Sequence, residues 1–216
     1  MTRINVGCGQ TPTKGWINFD NSFSLRLSKI LFLPDILYRL KILEVSQYQF
    51  IKFARENDIR YGDATKGLPL QSESCEVVYS SHMLEHLDRS GAAKFLKEAF
   101  RVLRPGGIIR IAVPDLKKLI AQYNDFGDAD AFIEVTHMCV SCPNTLTQRI
   151  RLLLVGPRHH QWMYDGNSLS RLLKRHGFIE AEIMPAGKTN IIEPGSLDLQ
   201  ERSAESVYVE ARKPST

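Results

Sequence analysis

The stretch R-I-N-V-G-C-G-Q-T-P-T-K-G-W-I-N-F-D, residues 3–20, limits closely how this chain can fold. Its apolar runs at 4–6 and 16–19 predict two short buried strands, with roughly eight residues left to connect them. A parallel pair normally needs a crossover of a dozen or more residues, usually a helix. A strand of about three residues spans only about 10 Å, however, and a loop of seven or eight residues can return that far. We therefore expect a parallel pair with a crossover that contains no helix.

Strand and helix patterns alternate along the rest of the chain. Residues 21–57 have apolar side chains at near-helical spacing, interrupted at Pro34. This alternation predicts an α/β fold in which helices cover both faces of a doubly wound, mainly parallel sheet. The last two strands are expected to form an antiparallel pair, and residues 116–165 give no clear pattern. Strands are predicted at 59–61, 76–80, 108–113, 178–184 and 206–213, and helices at 92–103 and 168–176.

Composition narrows the class of protein. The 216 residues predict a single domain spanning 1–216, and a net charge of +4 without a concentrated basic patch predicts no nucleic-acid partner. The four cysteines have no disulfide-like spacing, which is typical of a reducing compartment. No signal-peptide pattern and no apolar run long enough to span a bilayer is found. We therefore expect a cytoplasmic location.

Polar residues follow several predicted strands, at the edge where doubly wound sheets bind ligands. The glycine turn at 7–9 offers main-chain N–H groups to an anion, and without a following helix a single carboxylate suits it better than a pyrophosphate. Asp20 can accept hydrogen bonds from both hydroxyls of a ribose. Asp63, beside the Ala64 backbone, can accept one from the exocyclic amine of adenine. A carboxylate, a ribose and an adenine together describe S-adenosylmethionine.

Six motifs between residues 3 and 115 resemble those of class I S-adenosylmethionine-dependent methyltransferases, and within them the type 11 group: V-G-C-G, G-W-I-N-F-D, Y-G-D-A, V-V-Y-S-S-H-M-L-E-H-L, L-K-E-A-F-R-V-L-R-P-G-G and I-A-V-P-D-L. The resemblance implies a Rossmann-like sheet of about seven strands, the last antiparallel, and the helical pattern of residues 21–57 adds a helical insert after strand two. It also implies donor contacts near the ends of the first four strands, which we assign to Gly7, Cys8, Gly9, Asp20, Asp63, Ala64, Ser81 and His82.

The chain departs from the family pattern in two ways: the helix that usually follows the glycine turn is absent, and so is the usual N-terminal helical cap. The insert at 21–57 is therefore expected to cover the donor instead. Residues 21–55 carry six basic side chains against two acidic ones. Three interpretations of this segment stay open, in this order of preference: a lid, a homodimer face, or a contact with a membrane surface or a lipid-linked substrate.

The acceptor side is expected within residues 116–165. The segment R-H-H-Q-W-M-Y-D at 158–165 is equally compatible with acceptor contacts and with an exposed loop anchored by Trp162. Candidate catalytic bases for a hydroxyl acceptor are His137, His159 and His160, because a histidine titrates near neutral pH. A carboxylate or enolate-like carbon acceptor would need no strong base.

Two other groups of polar residues suggest chemistry, but a structural role is the preferred interpretation of each. Glu85 and His86 suggest acid–base chemistry, but a packing or capping role is preferred. His137, Cys139 and Cys142 lack the paired spacing of a structural zinc site, so no metal is predicted.

The preferred function is methyl transfer to a small-molecule or sugar- or lipid-linked acceptor, at an oxygen atom. Ser80-Ser81-His82 supplies no acid of the kind that activates an amine for aminopropyl transfer, and it lacks the polar-proline motif that holds a nucleobase amine. The alternative is a degenerate methyltransferase fold that acts as a scaffold or regulator. The intact glycine turn and Asp20 argue against that alternative.

Overall fold

The computed structural model describes residues 2–139, 145 and 159–215. The strands are β1 (Thr2–Val6), β2 (Ile17–Asp20), β3 (Ile59–Tyr61), β4 (Cys75–Ser81), β5 (Leu103–Pro114), β6 (Ile179–Met184) and β7 (Ser206–Arg212). The helices are α1 (Phe23–Ser28), α2 (Leu33–Arg39), α3 (Val45–Glu56), α4 (Arg89–Val102), α5 (Leu116–Phe126), α6 (Ala129–Thr136) and α7 (Gly166–Arg175). One sheet holds all seven strands in the order β3-β2-β1-β4-β5-β7-β6. Strand β7 runs antiparallel to both of its neighbours, which confirms the predicted Rossmann-like architecture.

The crossover between β1 and β2 contains no helix, as the sequence predicts. The two strands pair in parallel, with Ile4 opposite Ile17. Buried side-chain amides take the place of helical hydrogen bonds in the connecting loop. The Thr13 backbone N–H donates to Asn18 Oδ1 at 2.8 Å, and Asn18 Nδ2 donates back to the Thr13 carbonyl at 3.1 Å. Asn5 Nδ2 donates to the Thr11 carbonyl at 3.0 Å. Both asparagines are buried.

The main core lies between the sheet and helices α4 and α7. Asp88 caps α4 by accepting from the Gly91 N–H, and the buried face of the helix presents Ala92, Phe95, Leu96, Ala99 and Val102. The predicted helix at 92–103 is therefore present, beginning three residues earlier. The R-P-G-G segment that follows belongs to β5, whereas the sequence predicted a strand only from residue 108. Leu103 pairs with Cys75 and Ile108 with Val77, so the R-P-G-G residues between them form an irregularity in the β5 side of the ladder.

One charged pair is buried inside the sheet. Arg110 on β5 lies opposite Glu210 on β7, and Arg110 Nη1 donates to Glu210 Oε1 at 2.7 Å. Arg110 also donates to the carbonyls of Lys188 and Leu199, which ties the loop between β6 and β7 to the sheet. The arginine is 0% exposed and the glutamate 2%.

The predicted helical insert forms α1, α2 and α3. Pro34 lies in the first turn of α2, where a missing N–H costs nothing, so it helps to begin a helix rather than breaking one. Helices α1 and α3 pack Leu25 and Ala54 against Cys8 and Ile59, over the end of β1. Within the described part of the chain, no helix combines the length and apolar character that crossing a bilayer requires.

Candidate functional site

The two glycines of the turn after β1 differ in their surroundings. Both have positive φ, +73° at Gly7 and +50° at Gly9. A Cβ at Gly7 would lie 2.5 Å from Met83 Cγ, whereas a Cβ at Gly9 would meet no protein atom within 4 Å. Gly7 is therefore required by packing against Met83. Gly9 faces open space, where a ligand can approach the main chain.

The N–H groups of the turn are already hydrogen-bonded. Those of Gly7 and Cys8 donate to the Phe19 carbonyl at 2.8 and 3.1 Å, so they continue the β1–β2 pairing instead of pointing at a ligand. The Gly9 N–H donates to Asp20 Oδ2 at 3.2 Å. The expected anion cradle of three free amides is therefore not present. The Gly9 N–H instead holds the carboxylate of Asp20, which we expect to accept hydrogen bonds from the ribose hydroxyls.

Asp20 ends β2 beside this turn and is buried. Its second oxygen, Oδ1, accepts from the Ser22 N–H at 2.8 Å. Both oxygens are thus oriented by main-chain donors, while a carboxylate oxygen can accept more than one hydrogen bond. The structure brings Gly9 and Asp20 together as the sequence predicted.

Asp63 follows β3, the neighbour of β2, and the Gly62 N–H donates to the Asp20 carbonyl at 3.1 Å. The Asp63 carboxylate accepts from the Thr65 hydroxyl at 2.6 Å and pairs with Lys66 at 2.9 Å. Burial raises the pKa of Asp63, but these donors outweigh it and the pKa lies below its usual value. The Ala64 methyl packs into the main core, which leaves only its backbone for a ligand.

Ser81 is the last residue of β4 and His82 follows it, and their side chains face different partners. Ser81 Oγ is buried and, among the described residues, has no hydrogen-bond partner. The His82 ring bonds Ser206 Oγ at 2.8 Å, at the start of β7, and its Nδ1 lies 3.3 Å from Glu85 Oε1. The His82 side chain is therefore directed to β7 and Glu85. His82 Nδ1, like Ser81 Oγ, is buried without a hydrogen-bond partner among the described residues.

Cys8 lies beneath the insert rather than in an open cleft. Burial, and secondly the negative charge of Asp20, raise the pKa of its thiol to about 12. A protonated, packed thiol has no nucleophilic role. The contribution of Cys8 to a donor site is limited to its backbone.

The described part of the segment 158–165 is anchored to the turn Leu84–His86 and is not a free loop. The N–H groups of Gln161 and Trp162 donate to the Glu85 carbonyl, the former at 2.7 Å. Gln161 Nε2 donates to the His86 carbonyl, also at 2.7 Å. Trp162 stacks beneath the guanidinium of Arg89. This anchoring joins the end of β4 to the acceptor-side region expected from the sequence.

The same contacts gather histidines around Glu85, which is buried. The rings of His86 and His137 both contact the ring of His160, at centroid distances of 5.0 and 5.3 Å. His159 places its carbonyl 3.2 Å from His86 Nδ1. Burial lowers the pKa of His160, and the negative charge of Glu85 offsets part of that effect. The structure thus brings the rings of His137 and His160 together, and the backbone of His159 lies beside them. Cys139 is exposed, and Cys142 lies outside the described residues.

Sequence comparisons match part of the chain. A family profile described as a methyltransferase domain matches residues 32–111. A probable S-adenosylmethionine-dependent methyltransferase from Mycolicibacterium smegmatis is 43% identical over 58 residues. The match covers 27% of this chain and 21% of that relative, so the chain spans about a fifth of the length of the relative it matches.

Solved structures agree in fold over nearly the whole chain. A SAM-dependent methyltransferase from Methanosarcina mazei has a TM-score of 0.53 and 13% identity, with 99% of this chain and 92% of that chain covered. One from Thermotoga maritima, described as a possible histamine N-methyltransferase, has a TM-score of 0.51 and 15% identity, with 98% and 81% covered. The chain therefore resembles S-adenosylmethionine-dependent methyltransferases in sequence over residues 32–111 and in fold over nearly its whole length. S-adenosylmethionine is the cofactor of that family.

Sequence reasoning missed two residues that shape the candidate site. Met83 occupies the space beside Gly7. Glu201 accepts from the Thr11 hydroxyl at 3.1 Å and from the Tyr79 hydroxyl at 2.9 Å, and so fixes the crossover loop to β4. Glu201 is 190 residues from Thr11, and no local pattern marks such a pair. Met83 stands next to the quoted S-S-H motif and could have been noticed there.

Proposed function

We propose that the chain transfers the methyl group of S-adenosylmethionine to an oxygen atom of a small-molecule or sugar- or lipid-linked acceptor. The observation that carries the proposal is the contact between the Gly9 N–H and Asp20 Oδ2, at the carboxyl edge of the sheet and next to open space. Asp63 stands at the end of the adjacent strand. A donor lying along this edge would meet Gly9, Asp20 and Asp63 in turn.

The sulfonium of the donor is itself reactive, so the protein needs mainly to align the acceptor atom and exclude water. A hydroxyl acceptor must also lose a proton as the new bond forms. The histidines gathered at Glu85 support this role, because a buried neutral imidazole such as that of His160 can accept a proton.

The lipid-linked option is supported by the exposed surface of the insert. Leu31 and Phe32 are both 74% exposed and Leu40 is 64% exposed. Lys29, Arg39 and Lys41 flank them in sequence. Apolar side chains next to basic ones suit an anionic lipid surface. Replacing Leu31 and Phe32 by serine should then abolish co-sedimentation with vesicles that contain anionic lipid, and unchanged binding would remove this option.

Isothermal titration with S-adenosylhomocysteine, the demethylated product, tests the donor site. Asp20→Asn keeps an acceptor oxygen but removes the charge, and should weaken binding by about ten- to a hundredfold, the equivalent of about 1.5–3 kcal/mol. Asp58→Asn is the matched control, since the Asp58 side chain is 85% exposed, and it should bind like the wild type.

Donor affinity that is unaffected by Asp20→Asn would refute the assignment of the site. Turnover is tested separately, by measuring S-adenosylhomocysteine release in the presence of hydroxyl-bearing acceptors. Tight donor binding without release across an acceptor panel would favour the scaffold alternative.

A further inference from the structure

Glu85 has an unusual environment for a carboxylate. Its side chain is 1% exposed, and neither Oε1 nor Oε2 has a hydrogen-bond partner among the described residues. Burying an unpaired carboxylate costs several kcal/mol, so such a group is normally protonated, paired with a cation or bound to a metal ion. His82 Nδ1 lies 3.3 Å and His160 Nε2 lies 4.0 Å from Glu85 Oε1, and the charge of a histidine depends on pH.

Two histidines lie close enough to Glu85 to share a metal ion with it. Glu85, His86 and His160 each offer one ligand atom, and these atoms lie within 4.8 Å of one another. The His86 Nδ1–H donates to the His159 carbonyl at 3.2 Å, since a carbonyl can only accept. That bond leaves the lone pair on His86 Nε2. A ring N–H held by a backbone carbonyl is the usual arrangement that orients a metal-bound histidine.

We infer that Glu85, His86 and His160 form a binding site for a divalent transition-metal ion, of which zinc is the first choice. Two imidazole nitrogens and one carboxylate are a common ligand set for zinc sites that keep an open coordination position. Ligand atoms about 2.1 Å from a tetrahedral zinc are about 3.4 Å apart. His160 Nε2 and Glu85 Oε1 are 4.0 Å apart, so small side-chain rotations complete the geometry.

The competing explanation is a charge on His82. Its Nδ1 lies 3.3 Å from Glu85 Oε1, although the two are not aligned for a hydrogen bond. A protonated His82 would neutralise Glu85 and leave no need for a metal. The two explanations make different predictions, because only a metal site requires His86.

A metal ion here would have a use in the proposed methyl transfer, and this use, unlike the metal site itself, rests on the proposed function. Met83, two residues before Glu85, packs against Gly7, so the site adjoins the donor turn. An ion with an open position can bind an acceptor oxygen and lower the pKa of its hydroxyl. A metal-bound His160 could not also act as the base, so metal and base are alternative ways to activate the same acceptor.

The test uses the full chain, stripped of metal by chelator and titrated with Zn²⁺ by isothermal calorimetry. We expect one equivalent to bind, and the melting temperature to rise by about 5–10 °C at a hundredfold excess over the dissociation constant. Glu85→Gln and His86→Gln should each weaken binding by at least about a hundredfold. Circular dichroism checks that each variant is folded, and His86→Gln, at a half-buried position, serves if Glu85→Gln does not fold.

Two control variants separate this site from other zinc ligands. His176→Gln removes a half-buried histidine outside the cluster, and Cys139→Ser removes the exposed thiol; both should bind zinc like the wild type. The absence of saturable binding, or equal binding by the wild type and His86→Gln, would overturn the inference. Donor binding is measured independently through Asp20→Asn, so failure of the metal site and failure of the donor site are distinguishable.

Discussion

Gly9→Ala offers the sharpest test of where the donor lies. The added Cβ would meet no protein atom within 4 Å, so no clash opposes it. The cost comes from placing alanine at a φ of +50°, which is about 1–2 kcal/mol of unfolding free energy. For a chain of this size, that corresponds to a fall in melting temperature of about 2–8 °C. The variant should therefore fold.

Donor affinity should fall much more than stability. If the donor approaches the main chain at Gly9, the new methyl group occupies its contact surface, and we expect at least about tenfold weaker binding of S-adenosylhomocysteine. Urea denaturation measures the first quantity and isothermal calorimetry the second. Gly127→Ala is a matched control, since Gly127 ends α5 with a φ of +68° and has the same open surroundings. It should lose similar stability and no donor affinity.

Gly7→Ala completes the comparison. It carries the same backbone strain plus an overlap with Met83 Cγ at 2.5 Å, so it should lose about 2–5 kcal/mol of unfolding free energy. Gly7→Ala combined with Met83→Ala should lose less than the sum of the two single changes, because the overlap is removed. Wild-type donor affinity in Gly9→Ala would show that the ligand does not pass Gly9, and the reasoning about the open side of the turn would fail.

Three further predictions concern the core and the titratable groups. Arg110→Met leaves the Glu210 carboxylate buried without its cation and should lower the free energy of unfolding, measured by urea denaturation, by about 3–5 kcal/mol. Adding Glu210→Leu should recover most of that loss. A loss below about 1 kcal/mol in Arg110→Met would contradict the prediction. Cys8, with a pKa of about 12, should resist alkylation at pH 8 until the chain is unfolded, whereas exposed Cys139 should react at once, as peptide mapping by mass spectrometry would show. The pKa of Asp63 is lowered in the folded state, so its ionised carboxylate should stabilise the fold at a pH above the pKa it has in the unfolded chain. That stabilisation should disappear as the pH falls through the pKa of the folded state. In Asp63→Asn, the free energy of unfolding should therefore depend less on pH over this acid range.

The sequence alone predicted the fold well where chain length or alternation left few choices. The short gap between Val6 and Ile17 excluded a helix, and the structure has a loop there. The sequence prediction was wrong about the start of strand β5, which it placed at residue 108. Proline and glycine usually end regular structure, but here Leu103 pairs with Cys75 before the main ladder resumes. Pairing with a partner strand, which no local propensity describes, decided that boundary.

The sequence determined which residues stand at the ends of strands, because strand ends follow from local patterns of apolar and polar residues. It placed Asp20 and the glycine turn at one edge for that reason. Only the tertiary structure decided which of them touch: it bonded the Gly7 and Cys8 amides to Phe19, turned His82 toward Ser206, and carried His160 to Glu85 across 75 residues of chain. Contacts between segments so distant in sequence depend on how helices and loops pack on the sheet, and that packing is a property of the whole chain.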